Sequence, residues 1–299
     1  MEKNIIGKLK YRFQKFGFYY LAVKNDCHDK KGNKVKILTD NLKMFNYKYG
    51  YYGYLEIPIT TRCSLRCKNC SNLIPCYKKP RDYNLDMLKK SIDSFLECIN
   101  KIVFVRVLGG EPFLSKDLTE ILKQLIDSNK VQRIEVVTNG TQVPKDKQLL
   151  NVLKNDRVVV CISEYPIVNP AKLIETLDKN GISYRIDKMA FWMDYGNVKK
   201  RNKSKKELIK QYSRCNSVCK SLVNGQLHLC PRSSHGTDLG IIKNNEDDYL
   251  DLLDDSISLE EKKKRMNKLF KRKYITACDY CDYGTSKCKK VPVSEQLKK

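Results

Sequence analysis

From Leu55 onward the sequence alternates short runs of β-branched residues with amphipathic stretches, and this alternation limits the fold more than any other feature. Strands and helices that alternate in this way build a parallel sheet joined by crossover helices. The predicted strands are residues 54–59, 102–107, 133–138, 158–163 and 183–187, and the predicted helices are residues 85–100, 118–128, 146–155 and 171–180. The sequence therefore predicts an α/β fold, a βα-repeat barrel of the TIM type that is either complete or partial.

Four of the predicted strands are followed by loops that carry cysteine, glycine or polar residues. These loops are residues 60–70, 109–112, 138–140 and 163–165. In βα barrels the working residues gather on the loops at the C-terminal ends of the strands. One mouth of the barrel is therefore expected to collect all four loops.

The barrel pattern ends after Trp192, and the chain is predicted to have three parts. They are a basic N-terminal extension (1–50), the barrel (51–198), and a Lys-rich linker with a cysteine-bearing domain (199–299). In the last part, Ser258 and Glu261 have the form of a capping box that opens a helix to about residue 270. In the extension, apolar residues among lysines predict an amphipathic helix, which either packs on the barrel or makes peripheral contact with a membrane surface.

The chain has thirteen cysteines, a high count for a reducing compartment, where disulfides rarely persist. The chain is therefore either secreted or uses its thiols to bind metal. The apolar stretch at residues 16–23 is too short to span a membrane and lacks a small-residue cleavage site, so the chain is expected in the cytoplasm. Three cysteines fall within eight residues, and six lie between Cys215 and Cys288. The four scattered cysteines are interpreted as inert thiols; they are Cys27, Cys76, Cys98 and Cys161.

The formal charge of +24 would suit an anionic partner. Much of it lies in separate Lys-rich stretches, and the sequence has neither an RNA-binding signature nor zinc-finger spacing. We therefore expect no nucleic-acid partner and interpret the charge as solvated surface.

The segment at residues 60–70 reads TTRCSLRCKNC and gives Cys63, Cys67 and Cys70 a CxxxCxxC spacing. Three thiolates on one compact loop can bind three irons of a [4Fe-4S] cube and leave the fourth iron open to a small ligand. Zinc is the main alternative, but a closed zinc site needs a fourth ligand, and only Cys76 is near in sequence.

The cysteine loop after the first strand and the LGGEP segment at residues 108–112 after the second resemble the radical S-adenosylmethionine (SAM) superfamily. The resemblance covers about residues 54–192 and implies a partial (β/α)6 barrel. It implies that the open iron binds SAM and that cleavage of SAM yields a 5′-deoxyadenosyl radical, with electrons from a flavodoxin- or ferredoxin-type donor. The residues it implies for SAM binding are Gly109, Gly110, Glu111, Thr138, Asn139 and Ser163. Asn69 precedes the third cysteine, at a position where many members of the superfamily carry an aromatic residue.

The later cysteines resemble the SPASM and Twitch auxiliary domains of the same superfamily, and the shorter, single-cluster Twitch form fits better. The resemblance implies a second [4Fe-4S] cluster bound by Cys215, Cys230, Cys278 and Cys281. Cys219 is an equally available ligand that ranks below Cys215 because of the glycine spacing. A structural zinc ribbon is the alternative. Cys219 and Cys288, if they are not ligands, are candidate catalytic hydrogen-atom donors.

The CPRSSHG segment at residues 230–236 is similar to radical SAM enzymes of carbohydrate and aminocyclitol metabolism. This likeness implies oxidation or epimerisation of a small-molecule carbohydrate or nucleotide-sugar. The candidate substrate contacts are Arg232, His235, Tyr165, Trp192 and Asp194. Two alternatives stay open, namely modification of a ribosomally made peptide and a non-catalytic zinc-binding interaction protein.

Overall fold

The computed structural model describes residues 50–215 and 219–298 of the chain. The N-terminal extension, with the amphipathic helix and the membrane contact predicted for it, lies outside these residues. Among the helices described, none is both long and apolar enough to cross a membrane.

The first half of the described chain alternates five strands with four helices. The strands are β1 (Tyr51–Thr60), β2 (Lys101–Gly109), β3 (Val131–Thr138), β4 (Val158–Glu164) and β5 (Tyr184–Lys188). The helices are α1 (Leu85–Glu97), α2 (Leu118–Asp127), α3 (Lys147–Leu153) and α4 (Ala171–Lys179). Neighbouring strands pair in parallel in the order β5-β4-β3-β2-β1, and the mixed α/β fold with a mostly parallel sheet confirms the predicted fold class.

The second half extends the same sheet at its β1 edge. Its elements are β6 (Trp192–Met193), α5 (Lys205–Arg214), β7 (Ser221–Val223), β8 (Gln226–His228), α6 (Pro231–Asp238), β9 (Tyr249–Asp251), α7 (Leu259–Phe270) and β10 (Lys290–Val291). Strand β7 pairs in parallel with β1 at Glu56, and β8 and β9 follow in antiparallel order. The sixth parallel strand is therefore β7, whereas β6 pairs separately with β10. One sheet crosses the boundary predicted at residue 199.

Four of the described helices begin at a capping side chain. Asn84, Asp146 and Ser258 accept a hydrogen bond from a backbone N–H of the first turn of α1, α3 and α7. Ser204 and Glu207 form a complete capping box at the start of α5. Each such cap stabilises its helix by about 1 kcal/mol. Helix α7 is the helix that Ser258 and Glu261 predicted.

The two faces of the parallel sheet have opposite character. The face against the helices is apolar, and side chains such as Ile57, Val107 and Ile134 are fully buried there. The register places Glu56, Arg106 and Glu135 side by side on adjacent strands, on the opposite face. A buried charge is tolerated only when it is paired. The opposite face therefore holds charged side chains that are paired with one another, and it is called the polar face below.

Glu135 is the centre of this polar face. Its carboxylate is 1% exposed and lies 2.5 Å from Arg106 Nε and 2.8 Å from Arg185 Nη1. Burial alone would favour the neutral acid, but the two guanidinium groups lower the pKa of Glu135 to about 2. The carboxylate therefore stays ionised and holds both arginines across the sheet.

Candidate functional site

The three-cysteine loop begins where β1 ends. Cys67 is 8% exposed, Cys63 and Cys70 are half-buried, and a turn closed by the Cys70 N–H on the Cys67 carbonyl (3.2 Å) holds the loop together. Burial raises the pKa of Cys63 to about 12 and that of Cys70 to about 11. Burial is the largest cause of both shifts, and the charges of neighbouring cysteines contribute to them. A cationic partner such as iron would displace the protons, and the set of donors fits a cluster.

The described side chains do not show the arrangement of a site for a single metal ion. In the described ranges, no three His, Cys, Asp or Glu side chains are placed to bind one metal ion together. An iron-sulfur cube distributes its thiolates over different irons, so its ligands need not converge on one point.

Two glycines let the end of β2 approach the cysteine loop. A Cβ atom on Gly109 would overlap the Thr60 carbonyl oxygen, and one on Gly110 would lie 2.6 Å from the carbonyl carbon of Arg62. Without side chains, the Gly110 N–H donates to the Thr60 carbonyl at 2.8 Å and the Glu111 N–H donates to the Arg62 carbonyl at 2.8 Å. The glycines are therefore needed for close backbone packing, a reason that the sequence pattern alone did not supply.

Glu111 joins the ends of β2 and β3. Its carboxylate is fully buried and accepts hydrogen bonds from the Thr138 hydroxyl (2.8 Å), the Asn139 N–H (2.8 Å) and the Phe113 N–H (3.2 Å). Burial raises the pKa of Glu111 to about 7. Because these contacts are with the protein, Glu111 orients the strand ends. Its predicted contact with the ammonium group of SAM stays a prediction.

The remaining strand-end residues surround the cysteine loop. Asn139 Nδ2 lies 3.5 Å from Cys63 Sγ, within the range for a hydrogen bond to sulfur, and donates to Ser64 Oγ at 3.1 Å. Tyr165 is paired with Trp192 in an edge-to-face contact with ring centroids 5.5 Å apart. Burial raises the pKa of Tyr165, a hydrogen bond with Ser163 lowers it, and the three loop thiols raise it again. The structure therefore brings Asn139, Ser163, Tyr165 and Trp192 to the predicted mouth.

A second group of cysteines lines one cavity of about 140 Å³. The cysteines are Cys215, Cys219, Cys230, Cys278 and Cys281. The same cavity reaches Ser71, next to Cys70, and Glu56 on the polar face of the sheet. Cys288 is outside this lining; its pKa is raised to about 11 by burial and by Cys281, Asp194, Asp282 and Cys215. The cavity thus extends from the first cysteine loop to the second cysteine group.

The five thiols in the cavity have different neighbours. The pKa of Cys230 is raised first by burial and then by Cys278, Cys215 and Cys281. Cys219 instead lies beside Glu56 and Arg106, and its Sγ donates to the Tyr54 hydroxyl at 3.8 Å. Cys230 therefore has the other three predicted ligands among its electrostatic neighbours, while Cys219 contacts a side chain of β1.

Two side chains outside the predicted set support the C-terminal CxxC segment. Lys203 Nζ donates to the carbonyls of Cys281 (2.7 Å) and Cys278 (3.2 Å), and Gln211 Nε2 donates to the Cys281 carbonyl at 2.8 Å. Sequence reasoning missed both because their partners are about 70 residues away and no local pattern marks them.

The predicted substrate contacts in α6 are occupied by the protein itself. Arg232 lines the cavity, but its guanidinium donates to the carbonyls of Tyr280 (2.9 Å), Gly196 (2.7 Å) and Asn197 (2.6 Å). His235 is fully buried, and its Nδ1 lies 2.9 Å from the hydroxyl oxygen of Tyr77. Both side chains of α6 thus form structural links within the protein, and their contact with a substrate stays a prediction.

The two described histidines predict weaker stability in mild acid. Burial lowers the pKa of His228 to about 3 and that of His235 to about 4, against about 6.5 in an unfolded chain. As pH falls below 6.5, only the unfolded chain takes up these protons, so stability is lost. For His235 alone we expect the free energy of unfolding to fall by about 2 kcal/mol between pH 7 and pH 5.

The test compares wild-type apoprotein with His235→Asn in denaturant titrations at both pH values. The comparison is needed because Glu111, with its raised pKa, gives a slope of opposite sign. The variant should lose less stability than wild type on acidification. Equal losses in the two proteins would contradict the assignment.

The fold and site together define a class, namely an α/β fold with a mostly parallel sheet and three cysteines on the loop that follows its first strand. Residues 57–163 match the model of the Radical SAM superfamily. The chain therefore contains a radical SAM domain, and the resemblance seen in the sequence is confirmed. A [4Fe-4S] cluster and SAM are the cofactors that this superfamily implies for the loop of Cys63, Cys67 and Cys70.

Similar proteins of known activity match only part of the chain. GTP 3′,8-cyclase of Helicobacter pylori strain 26695 is 30% identical over 152 residues, covering 45% of this chain and 46% of that protein. The enzyme of Limosilactobacillus fermentum is 26% identical over 126 residues, covering 41% and 37%. The chain thus matches less than half the length of these relatives.

Solved structures with a similar arrangement have low sequence identity. Native anSMEcpe with bound AdoMet and a Cp18Cys peptide has a TM-score of 0.48 at 13% identity, covering 83% of this chain and 92% of that one. BtrN in complex with AdoMet and 2-DOIA has a TM-score of 0.43 at 16% identity, covering 82% and 97%.

Proposed function

We propose that the protein is a radical SAM enzyme with a second, auxiliary [4Fe-4S] cluster that oxidises or epimerises a carbohydrate-type substrate. One observation carries the proposal: a single cavity is lined by five cysteines and by Ser71, beside the first cysteine loop. A substrate in this cavity would lie between the two groups of thiols. When bound, the first cluster and SAM supply the radical that removes a hydrogen atom.

The residues of the cavity suit a hydroxylated substrate. Glu56 is 7% exposed, its Oε1 accepts from the Tyr54 hydroxyl at 2.7 Å, and its Oε2 has no hydrogen-bond partner among the residues that the structure describes. A buried carboxylate oxygen without a partner costs free energy, which a substrate hydroxyl would recover. Glu56 is therefore proposed to bind and orient a hydroxyl group of the substrate, with Arg106 holding the adjoining face.

The four grouped cysteines and Cys219 are assigned separate roles. Cys215, Cys230, Cys278 and Cys281 are proposed to hold the auxiliary cluster, with their backbone fixed by Lys203 and Gln211. Cys219 lines the cavity without belonging to that group, so it is the proposed hydrogen-atom donor of an epimerase. The auxiliary cluster would serve as the electron acceptor in a dehydrogenase. A flavodoxin- or ferredoxin-type protein is the proposed reductant.

The test is anaerobic turnover in deuterium oxide. The reconstituted enzyme is incubated with SAM, dithionite and a panel of nucleotide-sugars, and the products are examined by mass spectrometry. Loss of two substrate hydrogens identifies oxidation, whereas uptake of one solvent deuterium at carbon identifies epimerisation. For an epimerase, Cys219→Ala should form 5′-deoxyadenosine without deuterated product. If 5′-deoxyadenosine forms and every carbohydrate stays unchanged, the proposed substrate class is wrong.

GTP belongs in the same panel as a second candidate. The match of about 30% identity to GTP 3′,8-cyclases over the barrel favours including it. A rearranged GTP product that retains every atom of GTP would favour that activity over the carbohydrate proposal.

A further inference from the structure

The C-terminal tail, residues 294–297, lies against the three-cysteine loop. Cys67 and Gln296 form an antiparallel bridge although 229 residues separate them. The Lys68 N–H donates to the Glu295 carbonyl at 2.8 Å, and the Leu297 N–H donates to the Arg66 carbonyl at 2.8 Å. The tail is therefore paired with the loop at the position of the second cysteine.

The Gln296 side chain reaches the cysteine sulfur. Its Nε2 donates to Cys67 Sγ at 3.2 Å and to the Ser294 carbonyl at 2.6 Å, while its Oε1 accepts from the Arg66 N–H at 2.7 Å. The Arg66 N–H can only donate, so the amide oxygen must face it and the amide nitrogen must face the sulfur. The orientation of the amide is thus fixed by its own contacts.

We propose that Gln296 is a positioning residue that donates a hydrogen bond to a cluster-binding sulfur and raises the reduction potential of the first cluster. The inference rests on the proposed cluster at Cys63, Cys67 and Cys70. An N–H donor at a cysteine sulfur stabilises the extra negative charge of a reduced cluster, and such hydrogen bonds help set the potential. Residues that support metal ligands typically change affinity or activity by about 10- to 100-fold when mutated.

Gln296→Glu is the decisive variant because it keeps the size of the side chain and removes the N–H donor. Its carboxylate would repel both the thiolate and the added electron. We expect a more negative midpoint potential in an EPR-monitored redox titration, and roughly tenfold slower formation of 5′-deoxyadenosine at limiting reductant.

Glu295→Gln is the matched control. It removes the exposed ion pair between Glu295 and Lys68, 3.2 Å long, and leaves the sulfur contact in place. Its potential should equal that of wild type. The first cluster is identified by the change that SAM causes in its EPR signal, which separates it from an auxiliary cluster.

The outcomes distinguish the role proposed for Gln296 from the proposed radical SAM activity. A SAM-sensitive signal whose potential is the same in Gln296→Glu and Glu295→Gln overturns the role of Gln296 but leaves the enzyme proposal intact. Absence of any SAM-sensitive signal in wild type overturns the enzyme proposal itself. A lower potential in Gln296→Glu alone, with unchanged iron content, supports the inference.

Discussion

Cys67→Ala is expected to abolish formation of 5′-deoxyadenosine and to lower the iron content by about four atoms per chain. The reason is that three thiolates are the minimum that can hold the cube while one iron is left open for SAM. Cys67 is also the most buried of the three proposed ligands. Iron analysis and chromatography of the nucleoside product after anaerobic reconstitution measure the two effects.

Cys76→Ala is the control for this experiment. Cys76 is exposed and ends the short turn Ile74–Cys76, six residues after Cys70. If its thiol were the fourth ligand of a zinc site, its removal would release the metal. We expect Cys76→Ala to keep its iron and to cleave SAM at the rate of wild type. Cleavage retained in Cys67→Ala would contradict the ligand assignment.

Cys278→Ala is expected to reduce the iron content from about eight to about four atoms per chain and to end substrate conversion. Formation of 5′-deoxyadenosine should continue, because the first cluster is bound by a different loop. Cys278 lines the cavity and is one of the thiols grouped around Cys230. Iron analysis combined with both product assays distinguishes loss of the second cluster from general unfolding.

Cys219→Ala is the matched control for the second cluster. Cys219 lines the same cavity, but among charged groups Glu56 raises its pKa most, and its sulfur donates to the Tyr54 hydroxyl. Iron should therefore remain at about eight atoms per chain in this variant. A fall to about four in Cys219→Ala, with full retention in Cys215→Ala, would show that Cys219 is the ligand instead of Cys215. Zinc bound in place of iron in wild type would support the zinc alternative.

Local pattern explains why the barrel could be predicted closely. Each predicted strand and helix in the first half matches an observed element. Buried side chains recur every two residues in a strand and about every 3.6 residues in a helix, and both periods can be recognised in the sequence. The elements of the second half were harder to predict from the sequence. Strands β7, β8 and β9 have three residues each, too few for an alternating pattern to be recognised.

The sequence by itself determined the repeating βα order, the three-cysteine loop and the family to which that loop points, because each depends on residues close together in the chain. Only the tertiary structure decided which side chains meet across long separations. It placed Gln296 on Cys67, Lys203 on the CxxC carbonyls and Glu56 in the cavity with five cysteines. It also turned His235 inward. Contacts between residues far apart in sequence depend on how the elements pack, and no local spacing encodes them.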